Sequence, residues 1–195
     1  HTEGLQRLEQ ALAGFDGAGL DAAGLDRARI LINLGAAHFE QRRLDEAQRR
    51  TQQAQAVLLP LVRARRPGAR ADLGRALINL GGIHADAGRL AEGVQAYHEA
   101  LHAFDAALRS QRLAGDVSRL RGSRAKASMN LGYTLFKSGD FDAAQRYLSD
   151  SLRRYAPLSK DKPHLQADVA RTLVNAAHLA ARRGHTDRAA ALYER

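Results

Sequence analysis

Cysteine and tryptophan are both absent from the 195 residues, and the first absence removes several classes of explanation. Without cysteine there is no disulfide framework, no thiolate nucleophile and no sulfur-ligated metal, which fits a reducing compartment. No apolar run approaches the roughly 20 residues that cross a bilayer. The opening HTEGLQRLEQ also lacks the charged-then-apolar profile of a signal peptide. A soluble, cytoplasmic protein with no membrane partner is the expectation. Lysine is scarce, confined to positions 126, 137, 160 and 162, so the formal charge of +9 is carried almost wholly by arginine. Such a balance attracts nucleic acid, anionic membrane or acidic peptides, but Arg- and Ala-rich composition also follows from a G/C-rich genome. Catalytic signatures are missing too: there is no HExxH, no GxSxG and no Gly-rich phosphate loop. No enzymatic activity, catalytic residue, metal site or cofactor is expected.

What the chain does contain is repetition. ILINLG at Ile30–Gly35 nearly recurs as ALINLG at Ala76–Gly81, then loosened as SMNLG at Ser128–Gly132 and LVNAA at Leu173–Ala177. The central asparagines Asn33, Asn79, Asn130 and Asn175 lie 46, 51 and 45 residues apart. Around each, apolar residues recur at helical spacing, as in Ile30, Leu31 and Leu34. Seven residues after the small residue of the motif stands Gly88, Gly139 or Gly184, which closes one helix and opens a second. Small residues repeat in the second helices at Ala47, Gly93, Ala144 and Ala189, so each unit reads as a hairpin whose helices approach closely at Gly35/Ala47, Gly81/Gly93, Gly132/Ala144 and Ala177/Ala189. Turns are expected at RARRPGAR (Arg63–Arg70), APLSKDKPHL (Ala156–Leu165) and FDGAGLDAAG (Phe15–Gly24), with a short break near Gly115.

With the Leu-Gly pair, the small residue twelve places on, Tyr97 or Leu148 four further and Ala54 or Ala100 after that, the chain resembles the tetratricopeptide repeat family over nearly its whole length. The opening Trp of that pattern is replaced by Leu31, Leu77, Ser128 and Leu173, its Tyr by His38, His84, Leu135 and Ala180, and the period exceeds the family's ~34 residues. The resemblance implies an all-α fold, a right-handed superhelix or α-solenoid of antiparallel helical hairpins. The units fall at 22–64, 70–114, 116–156 and 164–195, after a lone second helix at 2–16 whose TEGLQRLEQALAGFD aligns without a gap to AEGVQAYHEALHAFD of Ala91–Asp105. Because the array starts and stops within a repeat, with no polar cap, a piece of a longer protein is expected.

In such an array the first helices line the concave face, and residues four apart on a helix lie side by side. Four residues before each Asn stand Arg29, Arg75, Lys126 and Arg171, though only about one residue in six is basic. A cationic column would run beside a carboxamide column. Asn offers both a donor and an acceptor to an extended backbone, while Arg or Lys pairs with acidic side chains. First helices about 10 Å apart would present a rung to about every third residue of a bound peptide. The face continues at Ala36/Glu40, Gly82/Asp86, Tyr133/Lys137 and His178/Arg182, so the basic last two units would take the more acidic part of the ligand.

The Arg-x-x-x-Asn-Leu-Gly pattern is similar to the Asn-ladder subgroup of the family: kinesin light chain, Pins-type polarity adaptors and bacterial peptide-pheromone receptors. There the first-helix Asn clamps a peptide backbone, a role that would carry over to Asn33, Asn79, Asn130 and Asn175. The plainer alternative is that each Asn bonds a neighbouring repeat and each Arg lies on a solvated face. His38 and His84 are expected to pack, whereas His178 faces the groove. Two further alternatives are nucleic-acid binding at Arg63, Arg65, Arg66 and Arg70 and at Arg119, Arg121, Arg124 and Lys126, and self-association through uncapped ends.

Overall fold

The computed structural model describes residues 2–15, 20–110, 117–159 and 163–194. Among the described residues there are nine α-helices and no strand: α1 Thr2–Ala13, α2 Leu20–Glu40, α3 Leu44–Arg63, α4 Ala69–Asp86, α5 Leu90–Arg109, α6 Val117–Ser138, α7 Phe141–Ser159, α8 Pro163–Arg182 and α9 Thr186–Tyr193. They fall into two compact units, His1–Gly115 and Asp116–Arg195. The first contains α1 to α5 and the second α6 to α9, and in both each helix packs on its sequence neighbour.

The four hairpin turns share one backbone device. Gly88, Gly139 and Gly184 take positive φ of 79°, 89° and 78°. The following residue then donates its N–H to the carbonyl five places back: Arg89 to His84, Asp140 to Leu135 and His185 to Ala180. This pairs orphan carbonyls at the helix end and reverses the chain within two residues. The first hairpin does the same without glycine, since Arg42 is held at φ 62° and Arg43 donates to His38. The left-handed position is thus kept even where the residue type resists it.

Close helix approach at the small residues follows from what an added methyl would meet. At Gly35 it would lie 2.3 Å from Thr51 Oγ1 and 3.3 Å from the Ala47 carbonyl oxygen. A methyl on Gly81 would stand 2.6 Å from the Tyr97 ring, one on Gly93 3.1 Å from the Gly81 carbonyl oxygen, and one on Gly132 2.8 Å from Leu148. The second-helix side chain sixteen residues on therefore lies across the glycine of the first. Gly74, where an added methyl would stand 2.7 Å from the Phe104 ring, adds a second such seat in the α4/α5 hairpin that the repeated motif did not single out.

Around these seats the core of the first unit gathers Leu31, Leu34, Ala54 and Leu58, with Leu5, Leu8 and Leu12 of α1 packed against it. Burying each such leucine contributes about 1.5–3 kcal/mol. In the second unit Met129, Leu131, Leu148, Tyr155 and Leu179 are fully buried.

Helix boundaries place one expected turn and correct another. Between α3 and α4 only residues 64–68 are non-helical, inside the expected Arg63–Arg70. Helix α7 runs through Pro157 to Ser159, and α8 begins at Pro163, so the expected Ala156–Leu165 turn is largely helix. Proline at the first position of a helix loses no hydrogen bond, which explains Pro163. In the Phe15–Gly24 stretch, Leu20–Gly24 already belong to α2; residues 16–19 and the expected break near Gly115 lie outside the described residues.

Candidate first-helix binding faces

The first helices α2 and α4 touch in one unit, and α6 and α8 touch in the other. The motif asparagines sit at the same register of all four, yet their surroundings differ between the units.

In the first unit both columns are tied into the fold. Asn79 donates Nδ2–H to the backbone carbonyl of Ile32 at 3.1 Å, and Arg75 donates to Asn33 Oδ1 at 3.4 Å. Asp72, 5% exposed, receives Arg29 Nε at 2.8 Å and Arg75 Nη1 at 3.3 Å, so both arginines of the column in this unit close on one buried carboxylate. Arg29 also reaches Asp26 at 3.1 Å. Burial alone would lower the Arg29 pKa, but the hydrogen bonds and charges of Asp72 and Asp26 raise it. Along the same face Asp86 is held by Arg42 at 2.5 Å. The plainer reading of an inter-repeat bond therefore describes the Asn79 donor, and ion pairing describes Arg29 and Arg75.

The sequence already held the signal for this neutralisation. Seven residues before Asn33, Asn79 and Asn175, one helical stripe back, stand Asp26, Asp72 and Asp168. Each lies three residues before a column arginine and pairs with it, Asp168 to Arg171 at 3.7 Å. In the third repeat the position is Ser123, and Lys126 has no carboxylate partner among the described residues.

The second unit presents a more open face. On α6, Lys126, Tyr133 and Lys137 are exposed and Asn130 is half-buried, and no hydrogen bond engages the Asn130 amide among the described residues. Lys137 Nζ lies 6.0 Å from the centre of the Tyr133 ring. On α8, Arg171, His178 and Arg182 are exposed and Asn175 is half-buried. His178 meets the Tyr193 ring edge-on at 6.0 Å. Val174, beside Asn175, is 40% exposed, an apolar contact point that the motif reading passed over.

The histidines His38 and His84 pack inward. His38 is buried with Nε2 3.9 Å from Glu9 of α1; burial chiefly, and Arg43 next, lower its pKa. His84 accepts a hydrogen bond on Nδ1 from Arg89 Nε at 3.0 Å, and burial and that guanidinium lower its pKa too. Of the two arginine clusters, the second loses Arg124 from the surface: its guanidinium binds Asp150 at 2.5 Å. Ser128 joins on the same oxygen, and Arg153 and Arg154 also close on this carboxylate. Burial would raise the Asp150 pKa, but hydrogen bonds from Arg154, Arg153 and Ser128 and the charge of Arg124 hold it far below the usual carboxylate range.

Hairpins with a glycine-seated aromatic or aliphatic crossing and polar stripes on the first helices define an all-α repeat fold, a class that is typically non-catalytic and serves as a protein–protein interaction scaffold. Models of the tetratricopeptide repeat match residues 129–195 and 74–99. The chain carries tetratricopeptide repeats over these residues. Among solved structures, BtubC (BKLC) from P. vanneervenii superposes with a TM-score of 0.66 at 22% identity, covering 86% of this chain and 61% of that one. The chain thus spans about three fifths of that relative's length. No curated protein sequence matches it. Among the described residues no helix is long and apolar enough to cross a membrane.

Proposed function

We propose that this scaffold docks an extended, acidic segment of a partner protein on the first-helix face of its second unit. Lys126, Asn130, Tyr133 and Lys137 of α6 and Arg171, Asn175, His178 and Arg182 of α8 make the contacts. The observation that carries this reading is the pairing of an unengaged Asn130 amide with a Lys126 that has no carboxylate partner among the described residues. An amide with both donor and acceptor unused satisfies one residue of an extended backbone, and the cation beside it selects acidic side chains. Tyr133 and Val174 add apolar surface that a bound chain would cover.

The first unit contributes less, since Arg29 and Arg75 already face Asp72; Asn33 and the acceptor oxygen of Asn79 remain its contacts. Binding is tested by fluorescence polarisation with labelled Glu/Asp-rich decapeptides and neutral decapeptides of the same length. Asn130→Ala and Lys126→Glu are each expected to weaken the acidic peptide about tenfold while helical circular dichroism is unchanged. Acidic peptides bound no better than neutral ones, or equally by both variants, would remove the reading.

A further inference from the structure

Seven residues before the motif asparagine, three of the four repeats carry an acid. Asp26, Asp72 and Asp168 stand there, and each pairs with the column arginine three residues on, at 3.1, 3.3 and 3.7 Å. Asp72 also receives Arg29 of the preceding first helix and is left 5% exposed. A carboxylate at this register is how the fold occupies the cations of its first-helix faces. The third repeat departs from this: Ser123 takes the position, three residues before Lys126 and seven before Asn130.

Ser123 is half-buried, and its hydroxyl makes no hydrogen bond among the described residues. Its neighbours on the surface of α6 are Arg119, four residues before, and Lys126, three after. Both are exposed, and neither forms an ion pair among the described residues. The acids on the two helices packed against α6 are engaged elsewhere. Asp168 of α8 accepts the Tyr155 hydroxyl at 3.2 Å and pairs with Arg171, while Asp150 of α7 is enclosed by Arg124, Arg153 and Arg154. Helix α6 thus presents two long cationic side chains and a hydroxyl around a place that holds a carboxylate in the other three repeats.

We propose that Ser123 makes this part of α6 the receiving site for one acidic side chain of the partner segment, whose carboxylate takes the place of the missing aspartate. It accepts a hydrogen bond from the Ser123 hydroxyl and charge-assisted ones from Lys126 and Arg119, as Asp72 accepts from Arg29 and Arg75 in the first unit. The inference rests on the peptide-docking reading above and narrows it to one residue of the ligand, seated beside the Asn130 rung on the same helical stripe. Ser123 is then the residue that sets the specificity. An aspartate here would pair with Lys126 inside the helix, as Asp26 pairs with Arg29, and would repel the incoming acid.

The test uses the 195-residue chain with two labelled decapeptides, one Glu-rich and one neutral, followed by fluorescence polarisation. Ser123→Asp restores the acid of the other repeats. It should leave helical circular dichroism unchanged, weaken the Glu-rich peptide about tenfold and leave the neutral peptide unmoved. Arg119→Gln, a change at an exposed position, should weaken the Glu-rich peptide about threefold, again without moving the neutral one. A parent chain that binds both peptides alike overturns the acidic reading of the whole face and this proposal with it. A parent chain that prefers the Glu-rich peptide, and keeps that preference in full in either Ser123→Asp or Arg119→Gln, overturns this proposal alone and leaves the acid to Lys126 and the cations of α8.

Discussion

The side-chain amide of Asn79 hydrogen-bonds the backbone carbonyl of Ile32, a residue of the preceding repeat, at 3.1 Å. Asn130, at the same register of its own repeat, has no such partner among the described residues. One motif position therefore bonds the neighbouring repeat in one unit and is left without a side-chain hydrogen bond among the described residues in the other.

This separates two substitutions that look equivalent in the sequence. Asn79→Ala is expected to cost about 1 kcal/mol, since it leaves a half-buried carbonyl short of a partner. Asn130→Ala should stay within about 0.5 kcal/mol of the parent chain, because its amide faces solvent. Urea unfolding followed by circular dichroism measures both. Equal losses at the two positions would show that the Asn79 bond carries no stability.

Glycine substitutions test the helix crossings. Gly81→Ala places a methyl 2.6 Å from the Tyr97 ring, and Gly132→Ala places one 2.8 Å from Leu148. Each is expected to destabilise by roughly 1–3 kcal/mol, because the crossing side chain must shift within a packed core. Gly4 of α1 has nothing within 4 Å of its added methyl, so Gly4→Ala should instead be neutral or stabilising by up to about 1 kcal/mol. Thermal melts of the three variants rank them, and a Gly81→Ala midpoint above that of the parent chain would contradict the crossing geometry.

The residues that made the fold legible are those whose role repeats. Gly88, Gly139 and Gly184 set the turns, and Gly35, Gly81 and Gly132 set the crossings, because a backbone requirement met in every hairpin leaves the same residue type at one register. What a single register could not disclose is which partner a polar side chain finds. Arg29 and Arg75 read as a ligand-facing column; the acids three residues before them, Asp26 and Asp72, were legible in the spacing, but that Arg29 also closes on Asp72 depends on the packing of α2 against α4. The full cluster on Asp150 was illegible for the same reason: besides Arg153 and Arg154 of its own helix, it takes in Arg124 and Ser128, 26 and 22 residues away in sequence. Long-range electrostatics depends on which faces meet, and spacing along one helix does not contain that.

Arg42 offers a test in the stabilising direction. It occupies the left-handed turn position that Gly88, Gly139 and Gly184 fill in the other hairpins, at a cost of about 1 kcal/mol for a residue with a Cβ. Its exposed ion pair with Asp86 returns about 0.2–1 kcal/mol and is screened by salt. Arg42→Gly is expected to be near neutral at low ionic strength and to stabilise by about 0.5–1 kcal/mol in 1 M sodium chloride. Melting in the two buffers measures the difference; a variant less stable than the parent at high salt would mean that the turn tolerates arginine without strain.

Acid should weaken the fold in two stages. His38 and His84 are held neutral in the folded chain, chiefly by burial and then by neighbouring arginines, so their folded pKa values lie below the ordinary 6.5. The unfolded chain binds those protons first. Their contribution is therefore complete above about pH 6.5 and declines as pH falls below it. Asp150 has a folded pKa depressed from 3.8, so its contribution is complete above about pH 4 and declines as pH falls through the lower folded value. The thermal midpoint should accordingly be level at and above pH 7, fall on the first limb below about 6.5, and fall again below about 4. His38→Gln should make the upper limb shallower, leaving the share of His84, and Asp150→Asn should flatten the lower, each leaving the other limb in place. A lower limb as steep in Asp150→Asn as in the parent would place the acid sensitivity in other carboxylates and take from the arginine cluster its part in holding α6 to α7.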